Sequence, residues 1–253
     1  MGYQPLRFPK VKSPFKREED EDGNYVVYDE INDGFEWVFE NDDVIAVEKL
    51  HGTNCCVSIE YGEHGKEVCG YTRHGHEPMQ EVKPYGSMTE HHWLTRAFQN
   101  SLRRGYLDDL DEGVHYGEVV GPDFHGNAHE LNENLFIPFE WLADKCAYKS
   151  WGKYPKTLDA LENWFSDQLF SLFYARMHGT DLDAASVSNG AFCEGIIFVH
   201  PDGAYNESDI YTEEESLNSG MYRKYSPYHA KLRRDMFSAY KNKEWPMTDY
   251  SNH

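Results

Sequence analysis

Apolar and polar residues alternate over short stretches along most of the chain, and the period lengthens towards three or four in only three places. The clearest short-period stretch is 44–59. Val44, Ile45 and Val47 are β-branched and predict a buried strand. His51, Gly52, Thr53 and Asn54 predict a tight turn, with Gly52 permitting a close backbone approach. Cys55, Val57 and Ile59 resume a period of two. Lys49 closes the first strand, where a hairpin can hold it at a fixed place. Further short strands are expected at 25–28, 35–39, 67–72, 114–120, 135–142, 191–199 and 221–225, with a turn at 62–65 and a polar loop at 126–134. The longer period predicts three helices. In 89–104, Trp93, Leu94, Ala97, Phe98 and Leu102 gather on one side, Arg96, Arg103 and Arg104 lie on or near the other, and Gly105 is a stop. In 158–177, Leu158, Leu161, Phe165, Leu169, Leu172 and Phe173 make the strongest apolar stripe. The third, 231–243, is mixed.

No repeat and no low-complexity linker interrupts this pattern, so a single domain is expected over 1–253. Residues 244–253 look like a loose tail. Residues 1–24 form an N-terminal arm, basic and proline-bearing over 10–17 and acidic over 18–22. It is either an extended arm leading into a solvated loop or a floppy terminus.

Charge narrows the function classes. A formal net charge of −20 argues against a general polyanion binder, so any nucleic acid must meet a local basic surface. Five cysteines, Cys55 and Cys56 adjacent, fit a reducing cytosol better than a disulfide framework. The chain opens without the apolar core of a signal peptide, and no run reaches membrane-spanning length, so a cytoplasmic protein without a membrane partner is expected. The histidine pairs His91-His92 and His125-x-x-x-His129 are candidate metal ligands. Gly126 weakens the helix that the second pair would need, and no cysteine pair lies near, so both are read as structural.

Lys49 can act as a nucleophile only when neutral part of the time, which burial and neighbouring cations promote. The string Glu48-Lys49-Leu50-His51-Gly52-Thr53-Asn54 resembles motif I of the covalent nucleotidyltransferases, and is most similar to the RNA ligase 2-like, phage-type branch of ATP-dependent RNA ligases. Other segments resemble the same family in the same order. The stretch 8–17 resembles the opening of phage-type RNA ligases. Arg73, in Tyr-Thr-Arg-His-Gly, resembles the arginine after the first hairpin. Tyr116-Gly117-Glu118 resembles motif III. Phe136-Ile137-Pro138-Phe139-Glu140 resembles motif IIIa, and Glu194-Gly195-Ile196-Ile197 resembles motif IV. Motif V departs from the family. It should hold two lysines separated by one residue on a strand after motif IV. Here Tyr222-Arg223-Lys224-Tyr225 offers two cations only on opposite faces.

The resemblance implies an α+β fold, a nucleotidyltransferase (ATP-grasp-like ligase adenylation) domain of antiparallel sheets flanked by helices. It implies that Lys49 attacks the α-phosphate of ATP, carries AMP, passes it to an RNA 5′-phosphate, and lets a 3′-hydroxyl displace it, as in RNA repair. Lys224 and a divalent ion, Mg²⁺ or Mn²⁺, would neutralise the phosphate oxygens, with Glu118 and Glu194 as metal or ribose contacts. Glu48 and Leu50 would lie along the nucleotide, with Glu48 flanking the base and favouring ATP. Asn54 would bond near the adenylate or the incoming 5′-phosphate, Arg73 would touch phosphate, and Phe139 would stack on adenine. Lys10, Lys12, Lys16, Arg17, Arg223, Lys224, Lys231, Arg233 and Arg234 are the cations available for RNA. Little chain follows Lys231, so the domain seals alone or a protein partner supplies grip. If the chain is viral, the host cytoplasm is its compartment. A DNA ligase or capping-type nucleotidyltransferase, and a degenerate non-catalytic nucleotide-binding module, are the competing readings.

Overall fold

The structure, a computed structural model, describes residues 8–19, 25–72, 78–82, 93–149, 151–153, 156–167, 169–179, 191–201, 211–214 and 222–237. It is a mixed α+β fold with mostly antiparallel pairing. The chain begins with β1 (Lys10–Lys12), β2 (Phe15–Glu19), β3 (Tyr25–Ile31), α1 (Trp37–Glu40) and β4 (Ile45–Lys49). It continues through β5 (Thr53–Gly62), β6 (Gly65–Thr72), β7 (Pro78–Val82), α2 (Trp93–Arg103), β8 (Gly113–Val120), β9 (Leu135–Pro138) and α3 (Phe139–Lys145). It ends with α4 (Leu158–Asp167), α5 (Leu172–Met177), β10 (Gly195–Val199), β11 (Tyr211–Glu214) and β12 (Tyr222–Arg233). No helix among the described residues is long and apolar enough to cross a membrane.

Two compact units share the chain, one built on Leu50–Lys145 with Phe8, the other on Pro9–Lys49 and Cys146–Trp245. The chain passes from one to the other between Lys49 and Leu50. In the Leu50–Lys145 unit the strands run β7-β6-β5-β8-β9. Leu94, Ala97 and Phe98 of α2 cover the sheet residues Cys55, Val57, Ile59, Val68 and Val119, all buried. Gly70 leaves space for the Phe98 ring, which an added Cβ would meet at 2.5 Å. The other unit has the order β1-β12-β10-β4, with β11 on the outer part of β12 and the β2–β3 pair beside the same core. Val44, Ala46, Ile196, Phe198, Ala230 and Leu232 face that core together with Trp151, Trp164 and Phe165.

The sheets agree with the alternating pattern, and several boundaries differ for identifiable reasons. Residues 37–40 are helical, not strand, because Phe35 and Val38, three apart, are the buried pair (4% and 0% exposed). The stretch 135–142 changes from strand to helix at Pro138, which has no N–H for a further ladder bond. The long helix expected over 158–177 is two helices. Phe170 bridges Phe192, and Ser171 starts α5 by accepting the Tyr174 N–H at 2.9 Å. Strand β10 begins at Gly195, so Glu194 precedes it rather than lying inside the strand expected over 191–199. The helix expected over 231–243 is absent over its described part. β12 runs on to Arg233, and a single 3-10 turn follows at Arg234–Met236. Ala230 and Leu232 are both fully buried, a period of two that holds the chain in the sheet. The arm is ordered over 10–19: β1 lies parallel to β12, and β2 pairs with β3. Residues 20–24 and 238–253 lie outside the described residues.

Candidate functional site

Register places the candidate residues of the β4 unit. Gly195 pairs with Lys49 on one side and with Arg233 on the other. Two residues on, Ile197 pairs with Val47 and with Lys231. Directly opposed residues of a sheet share a face, so Lys49, Arg233 and Lys231 project from one side while Glu48, Ile196 and Leu232 project from the other. Gly195 brings the backbones close: a Cβ there would stand 2.2 Å from the Leu232 carbonyl oxygen.

The Lys49 ammonium donates to Glu194 Oε2 at 2.6 Å, with side chains 22% and 14% exposed, so the pair is only partly screened by water. Arg233 is ion-paired with Asp235 at 2.9 Å. Lys231 is pulled down to about 8, first by burial, then by the charges of Lys49, Arg233 and Arg17, with Glu194 opposing. Asp235 is raised by burial, and Glu194 adds to the rise, while Arg233, Lys49 and Arg17 lower it. Four cations and two carboxylates therefore interact in a chain whose net charge is −20.

Lys231-Leu232-Arg233 escapes the sequence reading as a site pair. Its signal is two cations separated by one buried leucine, directly opposite motif IV. Lys224, by contrast, lies where β12 pairs with β11, opposite Thr212, and its side chain falls outside the described residues. Arg234 is corrected as an RNA contact. It is 1% exposed, donates to the carbonyls of Cys193 (3.1 Å) and Leu169 (2.8 Å), and lies 4.5 Å from the Phe192 ring centroid. Lys16 is engaged with Glu30 at 2.8 Å.

Glu48 points into the interior and is 1% exposed. It accepts from the Ser171 hydroxyl (2.5 Å) and the Phe173 N–H (2.8 Å), which ties β4 to the start of α5. Burial raises it to about 7, against the pull of those hydrogen bonds. Because folding raises this carboxyl's pKa, the stability it contributes is full below about pH 4.5 and is lost as pH rises through about 7. Glu48→Gln is expected to flatten that limb by about 3 kcal/mol in denaturant titrations at pH 4.5 and 8. An unchanged pH profile would contradict the assignment.

In the Leu50–Lys145 unit, Leu50 is buried and Gly52 packs against β8, where a Cβ would meet the Val119 carbonyl oxygen at 2.2 Å. Asn54 Nδ2 donates to the Gly117 carbonyl at 3.1 Å, and Asn54 is paired opposite Glu118, so amide and carboxylate share a face. Glu118 is half-buried. Phe139 opens α3, half-buried, with its ring edge-on to Phe8 at 5.2 Å, and Phe8 meets Tyr116 at 5.1 Å. Arg73, His91 and His92 lie outside the described residues.

Among the described residues no group of three or more His, Cys, Asp or Glu side chains gathers to hold a metal. Mg²⁺ takes one or two carboxylates with substrate phosphates and waters rather than an all-protein cage. Glu194, with Asp235 electrostatically coupled to it, is the carboxylate set beside Lys49 that fits.

No family model matches the chain, and no curated protein matches it. Among solved structures it is similar to a Naegleria gruberi RNA ligase mutant with ATP and Mn, at 16% identity and a TM-score of 0.32, over 85% of this chain and 59% of that one. It is also similar to an apo mutant of Naegleria gruberi RNA ligase, at 14% identity and a TM-score of 0.31, over 87% of this chain and 61% of that one. The chain thus spans about 60% of the length of the ligase chains it matches.

Proposed function

We propose that this protein is an ATP-dependent RNA ligase that joins 5′-phosphate and 3′-hydroxyl RNA ends through a lysyl-AMP intermediate. The observation that carries the reading is the row Lys49–Gly195–Arg233, with Lys231 one step along and Glu194 on the Lys49 ammonium. A primary amine at the end of a strand, flanked by two further cations, suits attack on a polyphosphate. The Lys49 ammonium first gives one proton to solvent; the N–P bond then forms at the α-phosphorus, the P–O bond breaks with its electron pair leaving on pyrophosphate, and the attacking nitrogen gives a second proton to solvent. Glu194 orients the amine. Arg233 and Lys231 offset charge on the phosphate oxygens, which is where most of the rate enhancement of phosphoryl transfer arises. A bound Mg²⁺ would add Lewis-acid charge at those oxygens, held by Glu194.

Asn54, Glu118 and Phe139 are assigned to the adenylate by their motifs, and Glu48 and Leu50 through their backbone beside Lys49. Phe8 would then be the residue that leaves or slides when a base stacks on Phe139. The choice of ATP over GTP rests on the motif I likeness. RNA is the polyanion because that string is most similar to RNA ligases. The degenerate, non-catalytic reading draws on the odd motif V and on the acidic charge; Lys231 and Arg233, two cations on the Lys49 face, weigh against the first of these.

The test is sealing of a nicked RNA duplex with ATP and Mg²⁺. Joining is expected with a 5′-phosphate at the nick and none with a 5′-hydroxyl. No joining of either, together with no covalent label from ATP, would overturn the reading.

Lys231 gives a further expected outcome. Free, it is about half-neutral near pH 8. A bound polyphosphate favours its charged form, so ATP binding at pH 8 to 9 should take up protons and weaken as pH rises. Calorimetry in buffers of different ionisation enthalpy reads the uptake. Lys231→Met should lower it by about half a proton near pH 8. Equal uptake in the variant would remove Lys231 from the phosphate site.

A further inference from the structure

The turn after Lys49 carries a second cluster, to which the ligase reading gives no role. The His51 N–H donates to Nε2 of His129 at 3.2 Å, and His129 is 3% exposed. An accepting Nε2 puts the proton of a neutral His129 on Nδ1. The rings of His51 and His125 meet edge to face, with centroids 4.6 Å apart. Nε2 of His125 lies 3.5 Å from the Thr53 hydroxyl. Two imidazoles and a hydroxyl thus share one small patch, and His125 on it is exposed.

The segment that presents His125 is strained. His125, Asn127 and Glu130 have φ of 42°, 56° and 51°, and they are the only non-glycine residues with positive φ among those described. Each costs on the order of 1–2 kcal/mol. Asn127 locks the shape by donating to the Leu131 carbonyl and accepting the Leu131 N–H, both at 2.9 Å, while Phe124 anchors the segment in the core. Strain fixed in this way clusters at ligand sites.

Strand parity separates this patch from the nucleotide residues. Asn54 and Glu118 share one face of the β5–β8 pair. Thr53 lies on the other, with Cys55 and Val57. We infer that His51, Thr53 and His125 form a phosphate-binding subsite for the nucleic acid, apart from the nucleotide residues. Imidazole N–H groups and a hydroxyl are donors matched to phosphate oxygens. A metal is disfavoured because the two rings stack edge to face instead of aiming nitrogens at one point, and no three-ligand group forms among the described residues. The identity of the polyanion as RNA rests on the ligase reading.

The test follows histidine ring Cε1–H resonances during titration with a 5′-phosphorylated RNA tetranucleotide and, separately, with its 5′-hydroxyl twin. The phosphorylated probe should shift His51 and His125. His125→Asn tolerates the left-handed backbone and should weaken binding at least about fivefold through the lost charged or N–H contact. Covalent labelling by ATP should stay unchanged in that variant. Equal shifts with both probes would assign the subsite to an internal phosphodiester, and a response to the phosphorylated probe alone to the terminal phosphate. No shift with either probe, or unchanged affinity in His125→Asn, overturns the inference. Failure of the ligase reading is read separately, as wild-type protein that takes up no label from ATP.

Discussion

Replacing either Lys231 or Arg233 with alanine is expected to slow covalent labelling from ATP by about 10²–10³-fold, the usual cost of removing one preorganised charge from a transition state. Both side chains share the Lys49 face of the sheet, and the β10 register sets them one step apart along β12. Arg233 is also held by Asp235, so its guanidinium would meet a phosphate already oriented. Neither side chain belongs to the core, so melting temperatures should move by only a few degrees, as for substitutions costing about 1 kcal/mol. Lys224→Ala is the discriminating control, expected to slow labelling by less than about threefold, because β12 pairs Lys224 with Thr212 of β11 and not with the Lys49 row. If Lys224→Ala is the inactive variant and the other two label normally, the clamp lies on the outer half of β12 and the site has been assigned to the wrong cations.

The second large effect is structural. Gly195 sits between Lys49 and Arg233 in the sheet, and a Cβ would stand 2.2 Å from the Leu232 carbonyl and 3.0 Å from the Arg233 Cα. Both contacts are backbone, so no side chain can swing aside. Gly195→Ala must therefore push β10 off β12. It is expected to cost about 3 kcal/mol or more in chemical denaturation, and to abolish labelling even under conditions where the variant stays folded. A stable, fully active Gly195→Ala protein would show that the spacing of these strands is not what sets Lys49 against its cations.

Much of this site is legible in the chain. The run from Glu48 to Asn54 shows a strand ending in a lysine and a turn that needs glycine, and Gly52 against the Val119 carbonyl explains that need. The apolar stretch after Glu194 predicts β10, and the register brings Glu194 to Lys49 across 145 residues, which no local pattern could specify. The cation pair is hidden for a different reason. From sequence the strand stops at Tyr225, and the basic residues beyond it fall in a mixed helix over 231–243. Only the burial of Ala230 and Leu232 separates a period of two from a mixed helix. Arg234 is less legible still: a third cation beside a cation pair looks exposed, yet two carbonyls and two aromatic rings accept it in the core. The break at Phe170 is tertiary in origin, since the bridge to Phe192 outweighs a helical stripe that continues through it.

Glu48 and Lys49 show how one strand divides two tasks. Adjacent residues face opposite ways, so the carboxylate joins β4 to α5 while the amine is left beside Glu194. The same alternation puts Ile196 and Leu232 in the core beneath Arg233 and Lys231. An apolar layer thus fixes the positions from which the cations project, and the rigidity of a packed sheet becomes the geometry of a charged surface.

The central claim is that Lys49 is a nucleophile towards ATP. Its most direct measurement is incubation with α-labelled ATP and Mg²⁺, followed by proteolysis and mass mapping of the labelled peptide. The account predicts AMP on Lys49, an acid-labile bond, release of pyrophosphate, and no label on Lys49→Ala protein that melts like the wild type. Label on a different residue, or undiminished label on Lys49→Ala, would contradict it.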